Sequence, residues 1–262
     1  MKNAPVFYQN LEEALDGRRA EHNCFFLRRR EGTIDFSSND WLSLSSSGLL
    51  RETFLAELAR HPEFSLGSTG SRLLDGNNSY IEALEQDIAK FHGAETSILL
   101  SGGYEGNVAI FSAIPRPGDA IVYDELVHAS VHDGMAHSIG TTQMAFRHND
   151  VESFRDTLVS IKESVPLIGQ EKRCVLIALE SVYSMDGDIC PLKELVEVVK
   201  ELFPAGNAQF IVDEAHATGI IGDHGRGLVC ALGLEKEIAI RQFTYGKALS
   251  SIGGRSCTKI TK

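Results

Sequence analysis

Proline, paired cysteine, excess positive charge and long apolar runs are all missing or scarce in this chain, and each shortage excludes something. Only 7 of the 262 residues are proline, which argues against a proline-rich disordered segment. The cysteines Cys24, Cys174, Cys190, Cys230 and Cys257 are scattered, odd in number and form no Cys-x-x-Cys pair. They read as buried, reduced thiols of a cytosolic protein. Lys and Arg number 25 against 36 Asp and Glu, a net charge of −11, and such acidity disfavours a nucleic-acid partner. No apolar run reaches the ~20 residues of a membrane-spanning helix. The stretch from Met1 to Ala20 carries acidic residues and no apolar h-region, unlike a secretory signal or an Arg-rich transit peptide. The closing Ile260-Thr261-Lys262 is not a peroxisomal address of the Ser-Lys-Leu type. The expectation is a cytoplasmic protein that binds no membrane. No repeat, low-complexity stretch or linker interrupts it.

What is abundant is apolar residue and glycine: 43% hydrophobic, 23% charged and 24 glycines. That is the composition of a globular chain with a sizeable core and many tight turns. Strand-length apolar runs alternate with helix-period segments. Helices are expected over Leu11–Glu21, Leu50–Arg60, Ile81–Phe91, Gly106–Ala113, Val127–His137, Val151–Glu163 after the Asn149-Asp150 cap, and Leu192–Phe203. Strands are expected over Thr33–Phe36, Thr96–Leu100, Ala120–Tyr123, Cys174–Leu179, Gln209–Val212 and Ile238–Thr244. The unbroken apolar run Cys174–Leu179 suits a strand buried on both faces. The alternation implies an α/β fold, a mostly parallel sheet flanked by helices. Ligands of such sheets bind beyond the carboxyl ends of the strands.

Three strand ends carry candidate chemistry. Asp213 follows the run Ile211-Val212; a carboxylate there needs a cationic partner such as a protonated pyridine nitrogen, or else caps a helix. His216 is a hydrogen-bond donor to a cofactor oxygen or a turn histidine. Lys247 lies between an apolar strand and small residues, where desolvation lowers an amine's pKa and makes it a nucleophile; the alternative is an exposed loop lysine. Gly246-Lys247 lacks the upstream glycines and following Ser/Thr of a P-loop. The turn Ser101-Gly102-Gly103-Tyr104 opens a helix and offers backbone N–H groups to a phosphate, unless it is an ordinary turn. Tyr104 is placed to stack on an aromatic ring. His128, His132 and His137 share helical spacing, but no carboxylate or cysteine completes a zinc set, so no metal is expected. Ser184 follows a buried strand and is a donor to a ring hydroxyl or a polar turn. A phosphate cradle, a stacking ring, a carboxylate and a late lysine together are what pyridoxal 5′-phosphate (PLP) requires.

These segments resemble the α-oxoamine synthases, PLP-dependent acyl-CoA:amino-acid transferases of the class II aminotransferase-like enzymes. Phe36-Ser37-Ser38-Asn39-Asp40-Trp41-Leu42-Ser43-Leu44 is similar to their opening signature and Gly67-Ser68-Thr69-Gly70-Ser71-Arg72 to their substrate loop. The Asp213 and Lys247 segments resemble the two most specific motifs of fold-type I PLP enzymes. The likeness runs from about residue 7 to residue 254 and is nearest to the members that make 8-amino-7-oxononanoate for biotin. It implies Lys247, His128 and Asp213 as catalytic residues. Lys247 would hold PLP as an imine and serve as base and acid, Asp213 would pair with the pyridinium, and His128 would stack on the ring. Ser184 and His216 would bond the ring hydroxyl side, Gly103 and Tyr104 would seat the cofactor, Thr244 would bind its phosphate, and Asn39 would lie near substrate. It also implies a homodimer that condenses an amino acid such as L-alanine with a pimeloyl-CoA-like acyl-CoA, with decarboxylation. Other members, 2-amino-3-ketobutyrate CoA ligase, 5-aminolevulinate synthase and serine palmitoyltransferase, stay open as alternatives.

The resemblance divides the chain into residues 1–45 (N-terminal helix and short strand), a PLP-binding large domain over 46–254, and a tail over 255–262. The chain stops 15 residues after Lys247, so a truncated chain without the family's small C-terminal domain, active or inert, is expected. The polar tail Arg255-Ser256-Cys257-Thr258-Lys259-Ile260-Thr261-Lys262 is not expected to form a buried strand. No firm match to a substrate arginine is found near the N-terminus, where Arg28, Arg29 and Arg30 are the candidates.

Overall fold

The computed structural model describes residues 4–27 and 32–258. Arg28, Arg29 and Arg30, and the tail from Lys259 onward, lie outside the described residues. The chain forms two compact units, Met1–Ser37 and Ser38–Lys262. The first contains helix α1 (Val6–Ala20), which begins earlier than its apolar spacing suggests and buries no residue. The strand expected over Thr33–Phe36 does not form. Those residues are exposed, and the ladder pairs no described residue with them.

The second unit opens with α2 (Leu49–Arg60) and α3 (Ser79–Phe91). It then alternates β1 (Thr96–Leu100), α4 (Gly103–Ala113), β2 (Ala120–Asp124), α5 (Ala129–Ala136), β3 (Thr142–Phe146), α6 (Val151–Ser164) and the short α7 (Pro166–Gly169). It continues through β4 (Val175–Glu180), α8 (Leu192–Leu202), β5 (Ala208–Asp213), α9 (Leu228–Leu232), β6 (Ile238–Thr244) and β7 (Gly254–Thr258). The strands make one seven-stranded sheet in the order β1-β7-β6-β5-β4-β2-β3. Pairing is parallel from β6 through to β3, and β7 runs antiparallel to both its neighbours. Asp150 caps α6 as its sequence predicts, its side chain accepting from the Ser153 N–H.

Period-two alternation sends each strand's side chains to opposite faces, and both faces are covered. Val122, Ile177, Leu179, Phe210 and Val212 pack against Phe154, Leu158 and Ile161 of α6 and Leu195 and Val199 of α8. Ile121, Leu176, Ala178 and Ile211 pack on the other side against Ile110 and Phe111 of α4 and Val131 and Met135 of α5. This is why β4 reads as an unbroken apolar run and is buried at every position.

The expectation for the tail was wrong over its first four residues. Gly254–Thr258 is a strand inside the sheet, and Arg255, Ser256 and Cys257 are buried. Backbone pairing on both edges satisfies the strand regardless of side-chain polarity. Some polar side-chain atoms find partners too: Ser256 Oγ donates to Gln242, Thr258 Oγ1 to Ala239 O, and Arg255 Nη1 to Leu84 O, while Arg255 Nε and Nη2 are buried without one. The cysteine expectation also needs correcting. All five thiols are free, but only Cys190 and Cys257 are buried, and Cys174 is exposed. Among the described residues no helix is long and apolar enough to cross a membrane.

Phe154 joins α6 to the sheet: it is fully buried, and its ring meets Phe146 edge-on at 5.0 Å between centroids. Phe154→Ala should lower the unfolding free energy by about 3–5 kcal/mol, measured by urea denaturation; a loss below ~1 kcal/mol would contradict the packing described.

Candidate active site

The parallel strands bring their carboxyl ends to one edge of the sheet. Glu180 ends β4 directly opposite Asp213 at the end of β5. Thr244 ends β6 opposite Gly254, which in turn faces Leu100 at the end of β1. Gly103, His216 and Lys247 follow these ends and His128 follows the end of β2, so the topology gathers these sequence candidates along one rim.

Lys247 Nζ lies 2.6 Å from His216 Nε2. Burial pushes the Lys247 amine below the usual lysine range, with Asp213 and Glu180 opposing the shift. Burial, and then the nearby Lys247, hold His216 down to about 4, while Asp213 opposes. At neutral pH His216 is therefore an uncharged ring, able to accept from the amine through Nε2.

Asp213 is buried. Its Oδ1 accepts from the Ala215 N–H at 2.8 Å, and its Oδ2 from the Asn107 side-chain amide at 2.7 Å. Its Oδ1 thus closes a turn, and no helix follows for it to cap. The Asn107 amide also donates to Ser130 Oγ at 3.1 Å, and Ser130 Oγ lies 2.7 Å from His128 Nδ1. The Ser130 N–H donates to that same Nδ1, so the ring's hydrogen belongs on Nε2. A single polar chain therefore runs from Asp213 to His128. Tyr104 meets His128 edge-on at 5.9 Å between centroids, and its hydroxyl donates to Asp133. His132 packs edge-on against Tyr123, and His137 is bonded to Asp133 O, so the three helical histidines point to separate partners.

Gly103 starts α4 within reach of Thr244. A Cβ on Gly103 would fall inside the van der Waals radius of Thr244 Oγ1, and one on Gly254 would overlap the Gly102–Gly103 backbone. Only glycine lets these three segments meet, and the meeting sets Thr244 Oγ1 beside the helix N-terminus.

Two expected residues stand apart. Ser184 is exposed; it shares a cavity of about 410 Å³ with His216 and Trp41. Asn39 is exposed as well. Its neighbour Asp40 accepts from Ser250 Oγ at 2.6 Å and from the Ser45 and Ser46 N–H groups. The Ser250 contact first, aided by the backbone ones, brings the Asp40 carboxyl down to about 2. This hook ties the opening signature to the loop carrying Lys247. Sequence reading missed Asn107, Ser130, Asp40 and Glu180. Glu180 is buried, and burial followed by the charge of Asp213 pushes its carboxyl up to about 8.

Two consequences can be measured. Gly103→Ala should cost about 1–3 kcal/mol of stability through overpacking, and adding Thr244→Ala should recover part of it; equal losses with and without the second change would contradict the contact. The folded state keeps the Glu180 proton to about 8, whereas the unfolded chain releases it in the ordinary glutamate range. Stability is therefore lost as pH rises through that window. Glu180→Gln has no proton to lose, so its thermal midpoint relative to the parent should rise from about pH 5 to about pH 8; a constant difference would refute the assignment.

Comparison with known proteins places this arrangement. The chain is 57% identical over 259 residues to aminoacyl transferase sphA of Aspergillus fumigatus, an alignment covering 97% of this chain and 55% of that protein. It is 48% identical over 250 residues to 8-amino-7-oxononanoate synthase of Emericella nidulans, covering 93% and 60%. A solved serine palmitoyltransferase from S. paucimobilis, carrying a bound PLP–myriocin aldimine, superposes with a TM-score of 0.77 at 26% identity, over 98% of this chain and 66% of that one. The chain thus spans a little over half the length of the curated relatives it matches. Its sheet and flanking helices have the large-domain architecture of fold-type I transferases. The family model for aminotransferase class I and II matches residues 31–257, a span that takes in all of the sheet but Thr258 and every strand end described above, and the chain belongs to that family.

Proposed function

We propose that this chain is the large-domain part of a PLP-dependent acyltransferase of the α-oxoamine synthase type. It would join an amino acid, L-alanine in the preferred reading, to an acyl-CoA with loss of carbon dioxide. The observation that carries the reading is the desolvated Lys247 amine, touching a neutral His216 at 2.6 Å beside the buried carboxylate of Asp213. The donor set suits PLP. An aldehyde carbon needs an uncharged amine, a pyridine nitrogen needs a buried carboxylate, and a phosphate needs the N–H groups at the start of α4 together with the Thr244 hydroxyl. The missing side chain at Gly103 lets the Thr244 hydroxyl sit beside those N–H groups. The relatives' names support the acyltransferase class and divide between aminoacyl transferase and 8-amino-7-oxononanoate synthase.

PLP, once bound, supplies an electron sink for negative charge at the amino acid's α-carbon. The protein's own groups do the rest. Lys247 would hold the cofactor's aldehyde carbon and, when released, take and return the α-proton, since its lowered basicity leaves a free electron pair closer to neutral pH. Asp213, held by Asn107 and Ala215, would keep the pyridine nitrogen protonated. His128, fixed by Ser130, would lie against the ring, with Tyr104 at its edge helping to seat the cofactor. His216 and Ser184 would bond the ring hydroxyl side, and Asn39 would meet substrate on the segment that Asp40 ties down. A cytoplasmic homodimer is part of the same proposal.

Adding PLP should give imine absorbance, and borohydride reduction should fix the label on Lys247. A label elsewhere, or none, would overturn the cofactor site. Alanine, glycine and serine should then be offered with pimeloyl-CoA and longer acyl-CoAs. Turnover of alanine with pimeloyl-CoA supports the biotin-pathway assignment, and turnover of another pair replaces it. Labelling without any turnover keeps the cofactor site and removes the acyltransferase activity from this chain.

A further inference from the structure

A second polar cluster lies just past the end of β3. His148 Nδ1 is 2.8 Å from Asp124 Oδ1, and its Nε2 is 2.6 Å from Asp188 Oδ2. Carboxylate oxygens only accept, so a hydrogen on each ring nitrogen satisfies both contacts and makes the ring a cation. Asp124 is fully buried. Its Oδ1 also accepts from the Leu126 N–H and its Oδ2 from the Asn149 N–H, each at 2.9 Å. A carboxylate buried this deeply is costly without a cation, and His148 is the cation in contact with it. The next residue, Asn149, adopts φ of 52°, a left-handed backbone that asparagine tolerates, and its side-chain amide donates to Asp188.

The two aspartates belong to different loops. Asp124 closes β2 and begins the turn that reaches His128, with the Val127 N–H donating to Asp124 O. Asp188 ends the turn that carries Ser184, and the Tyr183 N–H to Asp188 O bond and the Val182–Ile189 bridge close that turn. We propose that His148 is a positioning residue whose cation clamps the loop bearing His128 to the loop bearing Ser184, so that one ion-paired histidine sets both. The roles of His128 and Ser184 rest on the cofactor reading above; the clamp itself does not.

The charged groups facing the imidazole agree with a cation, and the Asn149 amide, 3.2 Å from Nε2, donates to Asp188 instead. Glu125 accepts from the His148 backbone N–H at 2.9 Å. The Tyr183 ring meets the imidazole edge-on at 4.5 Å. Burial and then Asp124 raise the Cys190 thiol, so it stays neutral. Arg147, the nearest competing cation in sequence, is engaged by Asp150. Burial works against the charge on His148, and the bonds to Asp124 and Asp188 outweigh it, leaving the ring above the ordinary histidine range. With a raised folded-state value, the clamp is intact below the ordinary range and loosens as pH rises through the raised one.

The test uses the whole chain and two independent readouts. Imidazole NMR should show His148 titrating above the ordinary histidine range, and Asp188→Asn should move it downward; a His148 that titrates in the ordinary range in the parent overturns the clamp whether or not PLP binds. PLP release should then be followed by imine absorbance in Asp188→Asn, His148→Gln and the double variant. Each single change should weaken retention about tenfold while leaving the borohydride label on Lys247, and the double should be no worse than the poorer single. Additive losses, or unchanged retention in folded variants, would refute the proposal. Asp188 is partly exposed, so its variant serves if His148→Gln does not fold. Failure of the parent to take PLP at all would count against the cofactor reading, and the titration would still decide the clamp.

Discussion

Lys247 Nζ and His216 Nε2 face each other at 2.6 Å, a separation at which two positive groups repel strongly and one hydrogen serves both. The surroundings resolve this by keeping the pair short of protons: burial lowers both the amine and the imidazole. An amine buried this way is a readier nucleophile than a solvated lysine. The arrangement exists only because β5 and β6 are parallel neighbours, so that the residues three past Asp213 and three past Thr244 reach the same rim.

The same register explains the acidic side of the site. Glu180 and Asp213 are opposite one another at the ends of β4 and β5, and two buried carboxylates this close do not both ionise easily. The fold separates their tasks. Asp213 receives Asn107 and Ala215 as donors. Glu180 is pushed up by burial and by Asp213 and retains its proton. Environment, rather than residue type, is what keeps the Glu180 carboxyl protonated.

Much of this was legible in the sequence, and for identifiable reasons. Thr96–Leu100 and Ile238–Thr244 formed with the bounds that their apolar runs suggest, because turn residues flank both. The edge strand Thr142–Phe146 was overlooked because one side of it faces water and it carries mixed side chains. The strand Gly254–Thr258 is hidden by its polar side chains, whereas the sheet satisfies its backbone from both sides. Lys247, His216, Asp213, His128, Gly103 and Thr244 share one rim because each ends or follows a strand. Asn107 and Ser130 were invisible for the opposite reason: the Asn107 partner Asp213 lies 106 residues away, and no local spacing encodes that contact. The His148 bridge to Asp124 and Asp188 is equally non-local.

The most direct test of the account is the pH at which Lys247 loses its proton in the folded chain before any cofactor is added. Lysine labelled at Cε reports this by NMR, with Lys247→Arg identifying the signal. The account predicts that Lys247 titrates below the ordinary lysine value of about 10.4 and below the other lysines of the chain. A Lys247 that titrates with the surface lysines would show that the amine is solvated, and the reading of this rim as a covalent cofactor site would fall.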